Sequence, residues 1–291
     1  MHPCIDRVSH LIEAFPYIRR FCGKTFVVKC GGAAIADEIQ MQKIMQDIAL
    51  LHFCGIQPII IHGGGPEIST MCGRLEVPTQ FSNGQRVTDA STMEIVQMVL
   101  VGKINGTLVG ALNQLGVKAV GLSGQDSAFL QVQKFTSKED VLIETDLGFV
   151  GDIVGIDTTL ITTLLAAGFV PVIAPIGVDS QGQIYNINAD IAAGALAGAL
   201  AAEKLIILSD VNGVYADVND PMTRLNSVKM KIIKQWLQEG DISGGMIPKL
   251  QSCVQAIEQG VSSAHILDGK MQHSLLLETF TDEGVGTLIT A

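Results

Sequence analysis

Residues 58–66 read Pro58-Ile59-Ile60-Ile61-His62-Gly63-Gly64-Gly65-Pro66. Four apolar residues in a row, with no polar alternation, predict a strand buried on both faces. The glycines that follow mark a strand-to-helix turn. Pro66 suits the first helical position, where its missing N–H costs nothing. One glycine would suffice for a plain tight turn. Several together let backbone N–H groups approach an anion, and the dipole of the helix behind them adds partial positive charge. The stretch is neither a G-x-G-x-x-G dinucleotide fingerprint nor a P-loop, and Gly23-Lys24-Thr25 lacks the upstream glycine of a Walker A loop.

The same alternation runs outward in both directions. Strand-like runs are expected at Phe26–Lys29, Pro58–His62, Ala119–Leu122, Val170–Ala174, Leu205–Ser209, His265–Asp268 and Val285–Thr290. Helical runs are expected at Glu38–Phe53, Pro66–Leu75, Ser91–Leu115, Asp157–Ala167, Asp190–Ala202, Lys229–Glu239 and Pro248–Glu258. The fold class this implies is α/β, with an open, mostly parallel central sheet sandwiched by helices. Ser91 and Glu94 have capping-box spacing at the start of the longest helix. Ile176–Asn188 reads as a hairpin around Asp179-Ser180-Gln181-Gly182, and Asp217–Thr223 as a surface loop. Residues 1–24 form an amphipathic arm with Leu11, Ile12, Phe15 and Ile18 at helical spacing, and Pro16 is expected to interrupt it. No linker or repeat separates the remainder, so any two lobes must share one sheet.

Composition narrows the function. The chain has 291 residues, of which 47% are hydrophobic and 31 are glycine. A net charge of −10 argues against a nucleic-acid partner, because a phosphate backbone wants a basic face. The six cysteines form no C-x-x-C pair and no zinc spacing with histidine, which suits idle thiols in a reducing cytoplasm and no metal site. No signal peptide is read at the start. Thr158–Val178 is uncharged and long enough to cross a bilayer, but Gly168, Pro171 and Pro175 divide it more naturally into a helix and a buried strand. No membrane association is expected.

Two lysines carry the chemistry. Lys29 ends the first strand and is followed by Gly31-Gly32, at the edge where α/β sheets place ligands. Lys249 follows Gly244-Gly245 at a helix start, where the dipole disfavours a cation unless an anion sits in front of it. Either lysine alone reads more readily as a solvated surface charge. Jointly, each beside a Gly-Gly pair, they imply a site for a phosphoryl group. Asn186-Ile187-Asn188-Ala189-Asp190 opens a small-residue helix: Asn188 suits an N-cap, and the trio of polar groups also suits holding a ligand. Arg86 is a loop arginine that could fork onto a carboxylate. Asp210 ends a strand on the same sheet.

These segments together resemble the N-acetyl-L-glutamate kinases of the amino-acid kinase family, over essentially the whole chain from about residue 16. The carrying stretches are Val28–Ala34, His62–Pro66, Arg86–Asp89, Met98–Lys103, Asn186–Asp190, Ser243–Lys249 and Phe280–Thr287. The resemblance implies an acetylglutamate-binding lobe over residues 25–200 and an ATP-binding lobe over 201–291. It also implies ATP-dependent phosphorylation of the γ-carboxylate of N-acetyl-L-glutamate in arginine biosynthesis. By matching position, Gly64, Gly65, Arg86, Asn186 and Asn188 would contact the acyl amino acid. Lys29 and Lys249 would stabilise the transition state, with Asp190 holding both. Gly31, Gly32, Asp210, Gly244 and Gly245 would lie on the nucleotide side, and Mg²⁺ would arrive with ATP. The nucleophile is a carboxylate of ordinary pKa about 4.3, already ionised at neutral pH, so no general base is needed. Gln125-Asp126-Ser127 departs from the usual Lys-Asp-Gly, and Cys30 stands where Tyr or Leu is common.

The arm, with Phe15-Pro16-Tyr17-Ile18-Arg19-Arg20-Phe21, resembles the N-terminal helix of the arginine-inhibited members, which interlace such helices into hexamers. Lys204, His265, Glu278 and Gly284 fall where that subgroup binds L-arginine. The resemblance also allows a PII-type signal protein as partner. The rival readings are a sister kinase acting on glutamate, aspartate or a carrier-bound aminoadipate, and a catalytically weak arginine sensor.

Overall fold

The computed structural model describes residues 3–82, 84–136, 146–217, 220–282 and 284–291. The first two residues of the arm, Asn83 beside the Arg86 loop, Val218 and Asn219 of the expected surface loop, and Glu283 of the C-terminal motif lie outside the described residues.

The arm is one helix, α1 (Pro3–Phe21), and it runs through Pro16 without a break. A proline forfeits its own N–H bond and its ring crowds the carbonyl four residues back, and in α1 the helix continues on both sides of that defect. After it come β1 (Thr25–Cys30), α2 (Gly32–Ala36), α3 (Glu38–Phe53), β2 (Gln57–His62) and α4 (Gly65–Arg74). β3 (Phe81–Ser82) and β4 (Gln85–Arg86) form a small antiparallel pair. One helical run then joins α5 (Ala90–Gln97), a π-helical segment (Met98–Asn105) and α6 (Gly106–Gln114). Next are β5 (Ala119–Ser123), β6 (Leu130–Lys134), β7 (Gly151–Ile156), α7 (Thr159–Ala166) and β8 (Val170–Ala174). The expected hairpin is β9 (Ile176–Val178) against β10 (Ile184–Asn186). α8 (Ala189–Ala199), β11 (Lys204–Ser209), β12 (Val214–Tyr215), β13 (Arg224–Leu225) and β14 (Ser227–Lys229) follow. The chain closes with α9 (Met230–Glu239), α10 (Met246–Glu258), β15 (Ser263–Asp268), α11 (Ser274–Phe280) and β16 (Thr287–Thr290).

Eight strands form the main sheet in the order β14-β16-β15-β11-β1-β2-β8-β5. Its pairings are parallel except β15 with β16. β1 lies between β2 and β11, so the chain turns away in opposite directions on its two sides and leaves a crevice at its carboxyl end, where ligands bind in open α/β sheets. A second sheet, β10-β9-β6-β7, stands beside the first.

Both faces of the main sheet are buried. Phe26, Val28, Ile60, Ile206 and Leu208 face a core shared with α3, α4, α5 and α6. Val27, Ile59, Ile61, Leu205 and Ile207 face another, shared with α7, α8 and α10. This explains the uninterrupted apolar runs: alternate residues serve different cores, and both want aliphatic side chains. The helical run Ala90–Gln114 is long and apolar enough to cross a membrane. Here its Ile95, Val96, Val99, Leu100, Leu108 and Leu112 are core residues on the sheet. Thr158–Val178 divides into α7, β8 and β9.

Several local expectations are corrected. The cap of α5 is Asp89, whose carboxylate accepts the Thr92 amide at 2.8 Å, and not a Ser91–Glu94 box. α10 starts at Met246 because Pro248 in a first turn sacrifices no helical bond. α8 ends at Ala199 and Ala201 turns left-handed (φ 44), short of the expected Ala202. Only Thr287–Thr290 of the Val285–Thr290 run pairs as a strand. Ser127 sits at φ 56, a conformation that glycine adopts without strain, at the position where the family pattern carries glycine.

α8 packs against α10 at glycines. A Cβ on Gly194 would lie 2.6 Å from the Ser252 carbonyl oxygen and 2.9 Å from its Cα. Gly194→Ala gains helix propensity but forces two backbones apart. It is expected to lower unfolding free energy by about 1–3 kcal/mol, read as a reduced denaturant midpoint at unchanged slope.

Candidate active site

At the carboxyl ends of β1, β2 and β11 lies an open cleft of about 410 Å³. The sheet delivers Lys29 as the penultimate residue of β1, in register with Ile61 of β2 and Ile207 of β11. α8 delivers Asp190 in its first turn, and α10 delivers Lys249 in its own. These three side chains meet. Lys29 Nζ is 2.8 Å from Asp190 Oδ1, and Lys249 Nζ donates to Asp190 Oδ2 at 2.9 Å. The side chains are 7%, 6% and 13% exposed for Lys29, Asp190 and Lys249, so water screens the trio little.

Burial shapes the ionisation of the group. It lowers the Lys29 ammonium pKa, and Asp190 only partly restores it. Burial alone would raise the Asp190 carboxyl, but the two ammonium groups overcome it and hold the carboxyl below the ordinary carboxylate range. One carboxylate facing two ammonium groups leaves the trio itself with a net positive charge. That is an electrostatic seat for an anion.

The glycine turns close around it. Gly31 caps α2, and its amide donates to the Leu208 carbonyl at 3.0 Å, so that N–H belongs to the sheet rather than to a ligand. Gly32 faces the β2 turn: a Cβ there would lie 2.9 Å from Pro66 Cδ and 3.3 Å from the amide nitrogens of Gly64 and Gly65. The two turns interlock only because these positions have no side chains.

Arg86, on β4, is buried beside the same turn. Its Nη2 donates to the Gly65 carbonyl at 3.0 Å and to Ser69 Oγ at 2.7 Å. The Phe81 ring lies 4.8 Å from its guanidinium carbon. Nη1 is buried and has no hydrogen-bond partner among the described residues. A buried orphan guanidinium donor on a cleft wall fits a carboxylate. Phe81 is a residue that sequence reasoning missed, and the hairpin signal Asn83-Gly84 pointed to it.

The remaining expected residues fall as follows. Asn186 lines the cleft and donates to Thr88 Oγ1 at 3.4 Å. Asn188 also lines it, but its carbonyl oxygen is engaged as the α8 N-cap, accepting the amides of Asp190 and Ile191. Asp210 lines the cleft at the end of β11. Gly244 and Gly245 do not line it; they form the exposed turn before α10, with Gly244 left-handed at φ 60. Among the described residues no group of three or more His, Cys, Asp or Glu side chains could hold a metal ion.

A second polar cluster lies away from the cleft. Lys204 Nζ is 3.3 Å from His265 Nε2, and His265 Nδ1 is 2.7 Å from Glu278 Oε1. Glu278 accepts the Val285 amide at 3.1 Å, and a Cβ on Gly284 would stand 3.2 Å from its carboxylate. Lys204 also lies over the Phe21 ring at the end of α1, and Tyr17 of α1 donates to Asp282. The cluster joins the arm, β11, β15 and α11.

The cleft places two cations and their shared carboxylate opposite backbone amides, the equipment of a phosphotransferase that works by charge and position. A family model described as the amino acid kinase family matches residues 24–268. The chain belongs to that family. It is 54% identical over 286 residues to an acetylglutamate kinase of Symbiobacterium thermophilum, covering 98% of each chain. It is 48% identical to that of Moorella thermoacetica, covering 98% of this chain and 97% of the other. The N-acetylglutamate synthase of Neisseria gonorrhoeae, solved with coenzyme A and N-acetyl-glutamate, superposes with a TM-score of 0.84 at 29% identity. That match covers 98% of this chain but 63% of the synthase, so the chain spans less than two thirds of that protein's length. The same synthase solved with coenzyme A and L-arginine gives a TM-score of 0.80 at 27% identity.

Asp190→Asn removes the anion between two buried cations. Stability at pH 7 is expected to fall by about 3 kcal/mol. The sign with pH follows from the lowered folded pKa of Asp190: its contribution is fully present above the unfolded value, near 3.9, and disappears as pH falls through the folded value. The part of the gap between wild type and variant that comes from the titration of Asp190 itself should therefore shrink below about pH 4, read in denaturant titrations.

Proposed function

We propose that this protein transfers the γ-phosphoryl group of ATP to the γ-carboxylate of N-acetyl-L-glutamate, giving N-acetyl-L-glutamyl 5-phosphate in arginine biosynthesis. The observation that carries this reading is the pair of lysines held on Asp190 at the cleft. The relatives named acetylglutamate kinase support the choice of acceptor.

In the reaction a carboxylate oxygen attacks the γ-phosphorus, a new O–P bond forms, and the bond to the β-bridging oxygen breaks with release of ADP. The acceptor is already ionised, so no proton has to be removed. What the protein supplies is alignment of two anions and compensation of charge on the phosphoryl oxygens. Lys29 would serve the acceptor side and Lys249 the nucleotide side, with Asp190 fixing their separation. The orphan Nη1 of Arg86 would take a carboxylate of the acyl amino acid, with Gly64, Gly65, Asn186 and Asn188 around it. Gly32 and Asp210, together with the Gly244-Gly245 turn and Gly31, would border the nucleotide, which brings Mg²⁺ on its phosphates. The lobes meeting here would be residues 25–200 for the acceptor and 201–291 for ATP.

The reading extends to regulation. The Lys204–His265–Glu278 cluster, with Gly284, offers a cation for an α-carboxylate and a carboxylate for a guanidinium, against the end of α1. L-arginine fits that chemistry, and the arginine complex of the structurally similar synthase supports it. Leu11, Ile12 and Phe15 of α1 are 73%, 66% and 60% exposed, an apolar stripe suited to interlacing with the same helix of another subunit in a hexamer.

Coupled ADP-release assays should show turnover with N-acetyl-L-glutamate and far less with glutamate or aspartate; turnover with none of the three overturns the reading. Lys249→Ala should lower kcat by about 10²-fold or more, as loss of a transition-state charge contact does. Deletion of residues 1–20 should yield dimers by light scattering and weaken arginine inhibition, and an intact hexamer would refute the role of the arm.

A further inference from the structure

His62 ends β2 directly before the glycine turn and is fully buried. Its ring touches two polar groups. Nδ1 lies 3.0 Å from the Gly63 carbonyl oxygen, and Nε2 lies 3.3 Å from Nδ2 of Asn105. Asn105, also buried, closes the π-helical segment Met98–Asn105. Its Nδ2 points at the Val172 carbonyl at 2.8 Å and the Leu122 carbonyl at 3.4 Å.

Those contacts determine where the protons are. Strand carbonyls only accept, so the end of Asn105 that faces β8 and β5 is its NH₂ group. That NH₂ also faces His62 Nε2, which must then accept, leaving the imidazole proton on Nδ1. Nδ1–H therefore donates to the Gly63 carbonyl. A second proton on Nε2 would oppose the Asn105 donor, and burial independently pushes the imidazole pKa down to about 4, so the ring is neutral at working pH.

The peptide joining Gly63 to Gly64 is planar and trans, so its C=O and N–H point in opposite directions. Holding the Gly63 oxygen inward on His62 turns the Gly64 N–H outward, towards Gly32 and the cleft; the Gly64 nitrogen is 3.3 Å from where a Gly32 Cβ would be. The π-helical segment closes the other side: a Cβ on Gly64 would lie 2.5 Å from both Leu100 Cδ2 and Ile104 Cδ1. In a glycine-rich turn, where peptide rotation meets little steric resistance, such a constraint is needed to keep a donor aimed.

We propose that Asn105 and His62 form a peptide lock that fixes the Gly63–Gly64 plane and so aims the Gly64 N–H at the anion in the cleft. Both are positioning residues: neither lines the cleft. The kinetic part of this inference rests on the phosphoryl-transfer reading, and the proton assignment does not.

Two measurements test it on the full chain. Two-dimensional ¹H–¹⁵N NMR of the histidine rings should place the His62 proton on Nδ1, and in Asn105→Leu, where only the Gly63 carbonyl still favours that tautomer, the preference should weaken; a proton on Nε2 in the intact protein overturns the lock, whatever the enzyme's activity. In steady-state kinetics with N-acetyl-L-glutamate and ATP, His62→Leu and Asn105→Leu should each lower kcat about 10- to 100-fold with both KM values within about twofold, as loss of transition-state rather than ground-state contacts does. His62→Asn, whose amide can replace the Nδ1 donor, should recover most of the rate. If Asn is no better than Leu at position 62, the ring acts by packing alone and the proposal fails. Gly121→Ala gives a test that leaves both residues in place. A Cβ there would fall 2.0 Å from Asn105 Oδ1, so the carboxamide must move and kcat should drop in the same pattern. Unchanged kcat in Gly121→Ala counts against the lock. Absence of turnover by wild type would refute the functional reading, with the NMR result still deciding the proton assignment.

Discussion

One carboxylate organises this molecule. Asp190 is nearly removed from solvent, and it stays ionised because ammonium groups from two different elements converge on it. Two lysines so close would repel one another, and without an anion between them burial would strip the proton from at least one. The ion triad therefore sets the relation of β1 to α8 and of α8 to α10. The glycine stripe of α8 belongs to the same constraint. A larger residue at Gly194 would carry α10 outward, and Lys249 with it. The charge of one unit left over on the triad is a direct consequence of two cations sharing one anion.

The sheet was the most legible part of the sequence. Apolar runs such as Pro58–His62 and Leu205–Ser209 carry their own evidence, because a strand buried on both faces tolerates little else. Lys29 and Lys249 were also legible, since charged residues beside glycine pairs at strand ends and helix starts are poorly explained by packing, whereas the place of Asp190 between them was implied only by the family resemblance. What could not be read was contact across the chain. That Gly31 gives its amide to Leu208 and that Arg86 leans on Phe81 depend on tertiary placement. Strands as short as β3, β4 and β12 leave too few residues for a period-two pattern. The Asp89 cap was overlooked in favour of a spacing rule at Ser91, although an aspartate at the N-cap is as strong a signal. Pro16 is no guide to the end of the arm, because the local cost of a proline is outweighed where the helix continues on both sides of it. The His62–Asn105 contact has no sequence signature at all: a lone asparagine in an apolar helix reads as an ordinary blemish.

The arm and the distant polar cluster show a different economy of residues. Lys204 and His265 sit side by side on adjacent strands at the far side of the sheet from Lys29's carboxyl end, in register Lys204 with Ser263 and Ile206 with His265. β11 thus begins in that cluster and ends at Ser209, directly before Asp210 on the cleft. A single strand carries both environments, and the aromatic end of α1 covers the first of them.

The two lysines differ in what they stand on. Lys29 is rooted in the middle of an eight-stranded sheet, while Lys249 rides on a helix entered through two exposed glycines. The field at the floor of the cleft thus has one pole fixed by the hydrogen bonds of two flanking strands and another fixed by how closely α10 can approach α8. A single methyl group at Gly194 would shift the charge of one lysine and leave the other in place.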